Sequence, residues 1–180
     1  MQFDKLDLEN VWICKSQPLS DTRGSFREWF KLEEFAESSG IHFNVVQSNF
    51  STSQKNVMRG IHYSSEVSGQ DKWVTCIKRS ILDVIVDLRA KSKNFGKSIL
   101  IKLKASEGNS VYIPKGFGHG FLSLENDTMI IYNLSKSYEP KYEYTINLFD
   151  ETLNINWPNV KPILSIKDKQ APKFNQIFKL

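Results

Sequence analysis

An all-β sandwich or barrel is the fold class this sequence predicts. Short segments alternate apolar and polar positions, closely spaced turn signals separate them, and only one segment reads convincingly as a helix. Strands set this close, without helices between them, argue against βαβ units and for a sheet packed on a sheet or closed on itself.

The helix comes early, in "KLEEFAESSG". Leu32, Phe35 and Ala36 share a face, carboxylates fill the other side, and Gly40 supplies the stop. The run "NVMRGIHYSSE" then reads as strand. "SILDVIVDL" places Leu82, Val84, Val86 and Leu88 on one face and Ile81, Asp83, Ile85 and Asp87 on the other. In "SILIKL", Ile99, Ile101 and Leu103 alternate with Ser98, Leu100 and Lys102, and "NSVYIP", "GFLSLE" and "TMIIYNL" continue the pattern. The turn signals are "KNFG", "SEGN", "PKGFGHG" and "ENDT". From about Asp150 the pattern is less regular. Pro158, Pro162 and Pro172 predict a tail of extended and short helical pieces wrapped on the sheet.

At 180 residues, with no internal repeat and no long linker, the chain is expected to form one domain. An apolar content of 40% is ordinary for a globular protein. No apolar run approaches the roughly 20 residues of a membrane span. The N-terminus lacks the apolar core of a signal peptide, so a cytoplasmic protein is expected. Cys14 and Cys76 are too few for a disulfide framework and read as reduced, packed thiols. The net charge of +4 comes from scattered lysines without interleaved aromatics, which predicts no nucleic-acid partner. Phosphate-cradling, dinucleotide-binding and nucleophile-elbow motifs are missing, so nothing local signals NAD, ATP or a serine nucleophile.

His62 is one of three histidines and sits in a strand-like run, three residues after Arg59. Such a residue is a packed core histidine, a metal ligand or a proton carrier. A metal reading would join His62, His119 and a carboxylate such as Glu66. Against it, the usual local signature of two histidines one residue apart is absent, with Ile61, Tyr63 and Ser64 in the positions concerned. Lys72 and Tyr132 are further polar residues within apolar runs. Tyr132 shares a face with Thr128, Ile130 and Leu134, which fits a core tyrosine with a bonded hydroxyl or a phenol turned into a site.

Taken together in chain order, "DTRGSF", "VVQSNFS", "NVMRGIHY", "GQDKWVTC", "DVIVDLR", "FGK", "YIPKGFGHGFL", "IIYNLSKSYEPKYE", "INWP" and "SIKDKQAP" are similar to the segments of the dTDP-4-dehydrorhamnose 3,5-epimerase family. The resemblance implies a cupin-type jelly-roll with a short N-terminal helix and an irregular C-terminal tail. It also implies a homodimer that needs no metal or other cofactor and acts on a dTDP-sugar. Position by position, it implies His62 as base, Tyr132 as opposing acid, Asp168 as the partner of His62, and Lys72 near the sugar carbonyl. Arg23, Glu28, Gln47, Asn49, Arg59, His119, Glu143 and Lys167 resemble ligands of the nucleotide sugar, and Tyr138 the aromatic that stacks on thymine. Two positions depart from the family: Ser48 stands where aspartate is usual, and Asn133 where lysine is usual.

The chemistry suits these residue types. Inverting a carbon next to a ketone requires removal of its proton, and the resulting charge spreads onto the ketone oxygen. Because the ketone is already present, the step needs no redox cofactor. The base must be neutral near pH 7, which suits histidine with its ordinary pKa of about 6.5. An aspartate on the far ring nitrogen would fix the tautomer. A cation such as Lys72 would stabilise the enolate. Inversion needs the new proton from the opposite face, and a phenol keeps its proton at neutral pH. Arg23 and Arg59 suit a diphosphate. Strict alternation, however, places Arg59 and His62 on opposite strand faces. For both to meet one ligand, Gly60 must bend the strand.

Overall fold

In a computed structural model, which describes residues 1–65 and 68–178, two antiparallel sheets face each other. The larger contains β1 (Gln2–Lys5), β2 (Trp12–Lys15), β5 (Gln47–Ser53), β7 (Lys72–Lys78), β10 (Asn109–Ile113) and β12 (Thr128–Leu134), in the order β1-β2-β10-β7-β12-β5. The smaller contains β6 (Met58–Ser64), β8 (Ser80–Asp87), β9 (Ser98–Lys104), β11 (Phe117–Ser123) and β13 (Glu143–Thr145), in the order β13-β6-β11-β8-β9. A hairpin of β3 (Leu19–Asp21) and β4 (Gly24–Phe26) stands apart and exposed. Consecutive strands repeatedly cross between the sheets, so the architecture is the jelly-roll expected.

Alternation explains the layers. The inner faces meet in a core of Val74, Ile81, Ile85, Val111, Ile113 and Ile130. On the outside of the larger sheet, Trp12, Trp73 and Tyr112 pack under Phe35 and Phe43. Phe35 is the buried residue of α1 (Leu32–Ser39), whose Gly40 cap has φ 74° and donates its N–H to the Ala36 carbonyl. Burying that phenyl ring contributes about 2–3 kcal/mol, which outweighs the helix's exposed ion pairs. Leu32, expected on the same face, stays exposed.

The outer face of β8 carries Val84 and Val86, and the C-terminal tail covers it with Ile146, Leu148, Leu153 and Phe174. Two four-residue helices, α2 (Ile166–Lys169) and α3 (Phe174–Ile177), lie in this tail. The tail is tied on by backbone: Met58 N–H donates to the Ile163 carbonyl at 3.0 Å, and Ile163 N–H to the Asn56 carbonyl at 2.9 Å. One turn reading is corrected: most of "PKGFGHG" is strand, because Phe117–Gly120 pair with β8, and His119 pairs with β6 as well. Its glycines permit close strand contact there rather than ending the strand.

Candidate active site

A cleft of about 190 Å³ opens between the sheets. Asn49, Lys72, Ile130, Tyr132 and Leu134 line it from the larger sheet, and Arg59, His62, His119 and Phe121 from the smaller. His62 and Tyr132 therefore occupy opposite walls.

Arg59 and His62 share the cleft because β6 carries one extra residue. His62 pairs with His119, yet Arg59 pairs with Phe121, so Gly60 and Ile61 together oppose Gly120. The Gly60–Ile61 peptide is cis. Gly60 has φ 114°, and a Cβ there would lie 2.6 Å from the Gly120 Cα. Only glycine fits so close to the neighbouring backbone. The bulge shifts the alternation by one residue and turns both side chains the same way.

His62 Nε2 lies 2.7 Å from Asp168 Oδ1. Asp168 comes from α2 and does not itself line the cleft; its side chain is only 3% exposed, against 39% for His62. Ser165 caps α2 by accepting from the Asp168 N–H at 3.0 Å, and its hydroxyl donates to Asp168 Oδ2 at 2.8 Å. Burial pushes the Asp168 carboxyl up. The hydrogen bond and charge of His62, with Ser165 and Lys167, outweigh that and hold it below the usual carboxylate range.

The neighbouring strand carries a second pair. His119 Nε2 lies 2.7 Å from Asp83 Oδ2, and Asp83 Oδ1 has no hydrogen-bond partner among the described residues. Burial raises the Asp83 pKa, against the opposing pull of His119 and Lys72. Burial lowers that of Lys72, against the pull of Glu143 and Asp83. Lys72 is thus buried with the carboxyl groups of Glu143 and Asp83 as its neighbouring acids. Asp71 fixes the start of its strand by accepting from the Lys115 N–H and donating its own N–H to Ser135 Oγ, both at 2.8 Å.

Burial also raises the Tyr132 pKa, partly offset by a hydrogen bond with Asn49, so the phenol holds its proton at neutral pH. Tyr138 and Glu143 line the cleft mouth; Ser64 Oγ donates to Glu143 Oε1 at 2.7 Å. Gln47 sits behind Asn49. Lys167 is exposed and lines a separate groove that shares Glu143 with the cleft. Arg23, on the exposed hairpin, pairs with Asp21, and Glu28 pairs with Lys31; neither lines this chain's cleft. Ser48 and Asn133 are register partners on the strand faces turned away from Tyr132.

Sequence reading missed Asp83, Gln70 and Phe121. Asp83 had a signal, a carboxylate set between Ile81 and Ile85 on one strand face; Gln70 and Phe121 had none. Glu66 lies outside the described residues. Among the described residues, no three histidine, cysteine or carboxylate side chains converge as a metal site would need.

Residues 5–176 match the sequence pattern of the family described as dTDP-4-dehydrorhamnose 3,5-epimerase. A dTDP-4-dehydro-6-deoxyglucose 3-epimerase of a Streptomyces species is 39% identical over 168 residues, covering 93% of this chain and 86% of that protein. A dTDP-4-dehydrorhamnose 3,5-epimerase of Shigella flexneri is 37% identical over 174 residues, covering 97% and 96%. The crystal structure of the dTDP-6-deoxy-D-glucose-3,5-epimerase of Legionella pneumophila, in complex with dTDP-4-keto-L-rhamnose, superposes with a TM-score of 0.94 at 35% identity, covering 99% and 95%. With sequence and fold matched almost end to end, this chain belongs to the dTDP-4-dehydrorhamnose 3,5-epimerase family.

Proposed function

We propose that this chain is a cofactor-independent isomerase that inverts C3 and C5 of dTDP-4-keto-6-deoxyglucose to give dTDP-4-dehydro-L-rhamnose. The observation that carries the reading is the placement of an Asp168-backed imidazole and a protonated phenol on opposite walls of one cleft. Asp168 engages Nε2 of His62, leaving Nδ1 as the nitrogen that accepts the C–H proton. The electron pair moves onto the ketone oxygen, where the Lys72 ammonium stabilises it. Tyr132 delivers a proton to the opposite face of the carbon, and solvent reprotonates Tyr132 and relieves His62. Two such cycles invert the two centres. Arg59 binds diphosphate at the mouth, and Tyr138 stacks on the base; remote binding energy of this kind holds the ring between base and acid.

The chain acts as a single domain, a reading supported by the family match over residues 5–176. It works as a homodimer. The hairpin holds Leu19 and Phe26 exposed and outside its own cleft, an arrangement suited to delivering Arg23, and Glu28 beyond it, to the cleft of a second copy. Light scattering tests the assembly. The cytoplasm fits two buried free thiols, with Cys76 pushed up to about 11 by burial. Among the described residues, no helix is long and apolar enough to cross a membrane.

Proton NMR of dTDP-4-keto-6-deoxyglucose in D₂O with the enzyme tests the reaction. Deuterium is expected at both C3 and C5; exchange at neither carbon defeats the assignment. Tyr132→Phe is expected to retain exchange while inversion falls about a hundredfold. A second reading, inversion at C3 alone, is favoured by the Streptomyces 3-epimerase relative. Deuterium confined to C3 would establish it.

A further inference from the structure

We propose that Gln47 and Asn49 are positioning residues for Tyr132: a hydrogen-bond chain starting at the Tyr138 backbone amide orients both side-chain amides and leaves the Tyr132 hydroxyl proton free for the substrate. The inference rests on the reading of Tyr132 as the acid.

A backbone N–H can only donate. Tyr138 N–H donates at 2.8 Å to Gln47, so the atom it meets is Oε1. The Gln47 amide nitrogen then faces Asn49 and donates to Oδ1 at 2.8 Å. With its carbonyl occupied, Asn49 turns its own amide nitrogen to Tyr132. The two residues are direct register partners on β5 and β12, so their side chains share the cleft face. The Asn49 side chain hydrogen-bonds the Tyr132 hydroxyl, and its Oδ1 is already taken by Gln47. The phenol oxygen therefore accepts from Asn49, and its proton is left to point into the cleft. After transfer, the same N–H stabilises the phenolate. Gln47 does not line the cleft, which fits an orienting role better than substrate contact. A side-chain amide flips freely unless its partners forbid it; here the fixed polarity of one peptide group sets both.

Gln47→Glu tests this without altering Asn49 or Tyr132. A carboxylate still accepts from Tyr138 N–H but cannot donate to Asn49. Asn49 must then flip, offer its carbonyl to Tyr132 and hold the phenol proton away from the substrate. The expected signature is deuterium exchange at C3 and C5 within about threefold of wild type, and inversion slower by about tenfold or more. Asn49→Asp, which can only accept, should shift the exchange-to-inversion ratio in the same direction and serves if Gln47→Glu does not fold. Calorimetry with dTDP separates the alternative. An unchanged ratio with weakened dTDP binding makes both residues simple nucleotide ligands and overturns the proposal. Wild-type enzyme that exchanges neither carbon overturns the epimerase reading itself, a distinct result seen before any variant is made.

Discussion

Two histidine–aspartate pairs lie side by side, with the same 2.7 Å Nε2-to-carboxylate contact, yet their environments oppose each other. His62 is 39% exposed at the side chain and both oxygens of its aspartate are hydrogen-bonded; His119 is 11% exposed and one oxygen of its aspartate has no partner among the described residues. Burial wins at Asp83, whose pKa rises, and loses at Asp168, whose pKa falls. An imidazole that reaches solvent and is backed by a firmly ionised carboxylate can take up a proton and release it. The enclosed pair, whose carboxyl burial pushes toward its neutral form, lacks that backing. The contact distance alone is uninformative; what surrounds each carboxylate separates the roles.

The sharpest way to break the comparison is to remove each imidazole. His62→Ala should lower deuterium exchange about a thousandfold at both carbons, while His119→Ala should cost about tenfold, because it removes a contact rather than the proposed base. Equal losses would erase the distinction.

A second test parts the pairs together. Gly60→Ala would drive a methyl group into the Gly120 backbone at a φ that other residues avoid. A loss of about 3 kcal/mol in urea unfolding is expected. Undiminished stability would mean that the bulge does not depend on glycine.

The finest test is the sign of the pH dependence. Asp168 binds fewer protons folded than unfolded, so its contribution is complete above the unfolded pKa of about 4 and is lost as the pH falls through its lower folded value. Asp83 binds more protons when folded, so it costs stability as the pH rises above about 4. Between pH 3 and 6, the melting temperature of Asp168→Asn should fall relative to wild type as the pH rises, and that of Asp83→Asn should climb. Parallel slopes would place the two carboxylates in equivalent environments.

Local physics made much of this legible in the sequence. Period-two alternation marked the strands, an amphipathic run stopped by glycine marked α1, and the ordered motifs marked His62, Lys72, Tyr132 and Asp168 as one set. Alternation also predicted that Arg59 and His62 would conflict, and named Gly60 as the remedy.

Tertiary structure decided the rest, because contacts distant in sequence leave no periodic trace. The chain brings Asp168 to His62 across 106 residues only because the tail's apolar side chains need the outer face of the smaller sheet. Asp83 lies on the inward face of β8, and only the closing of the two sheets on each other places it near Lys72. The direction of the Asn49 amide is set by a peptide group 89 residues further on, the Tyr138 amide acting through Gln47. Residue types fixed which chemistry was possible; burial and hydrogen-bond polarity, which exist only once the sheets have closed, decided which of two similar histidines is suited to carry the proton.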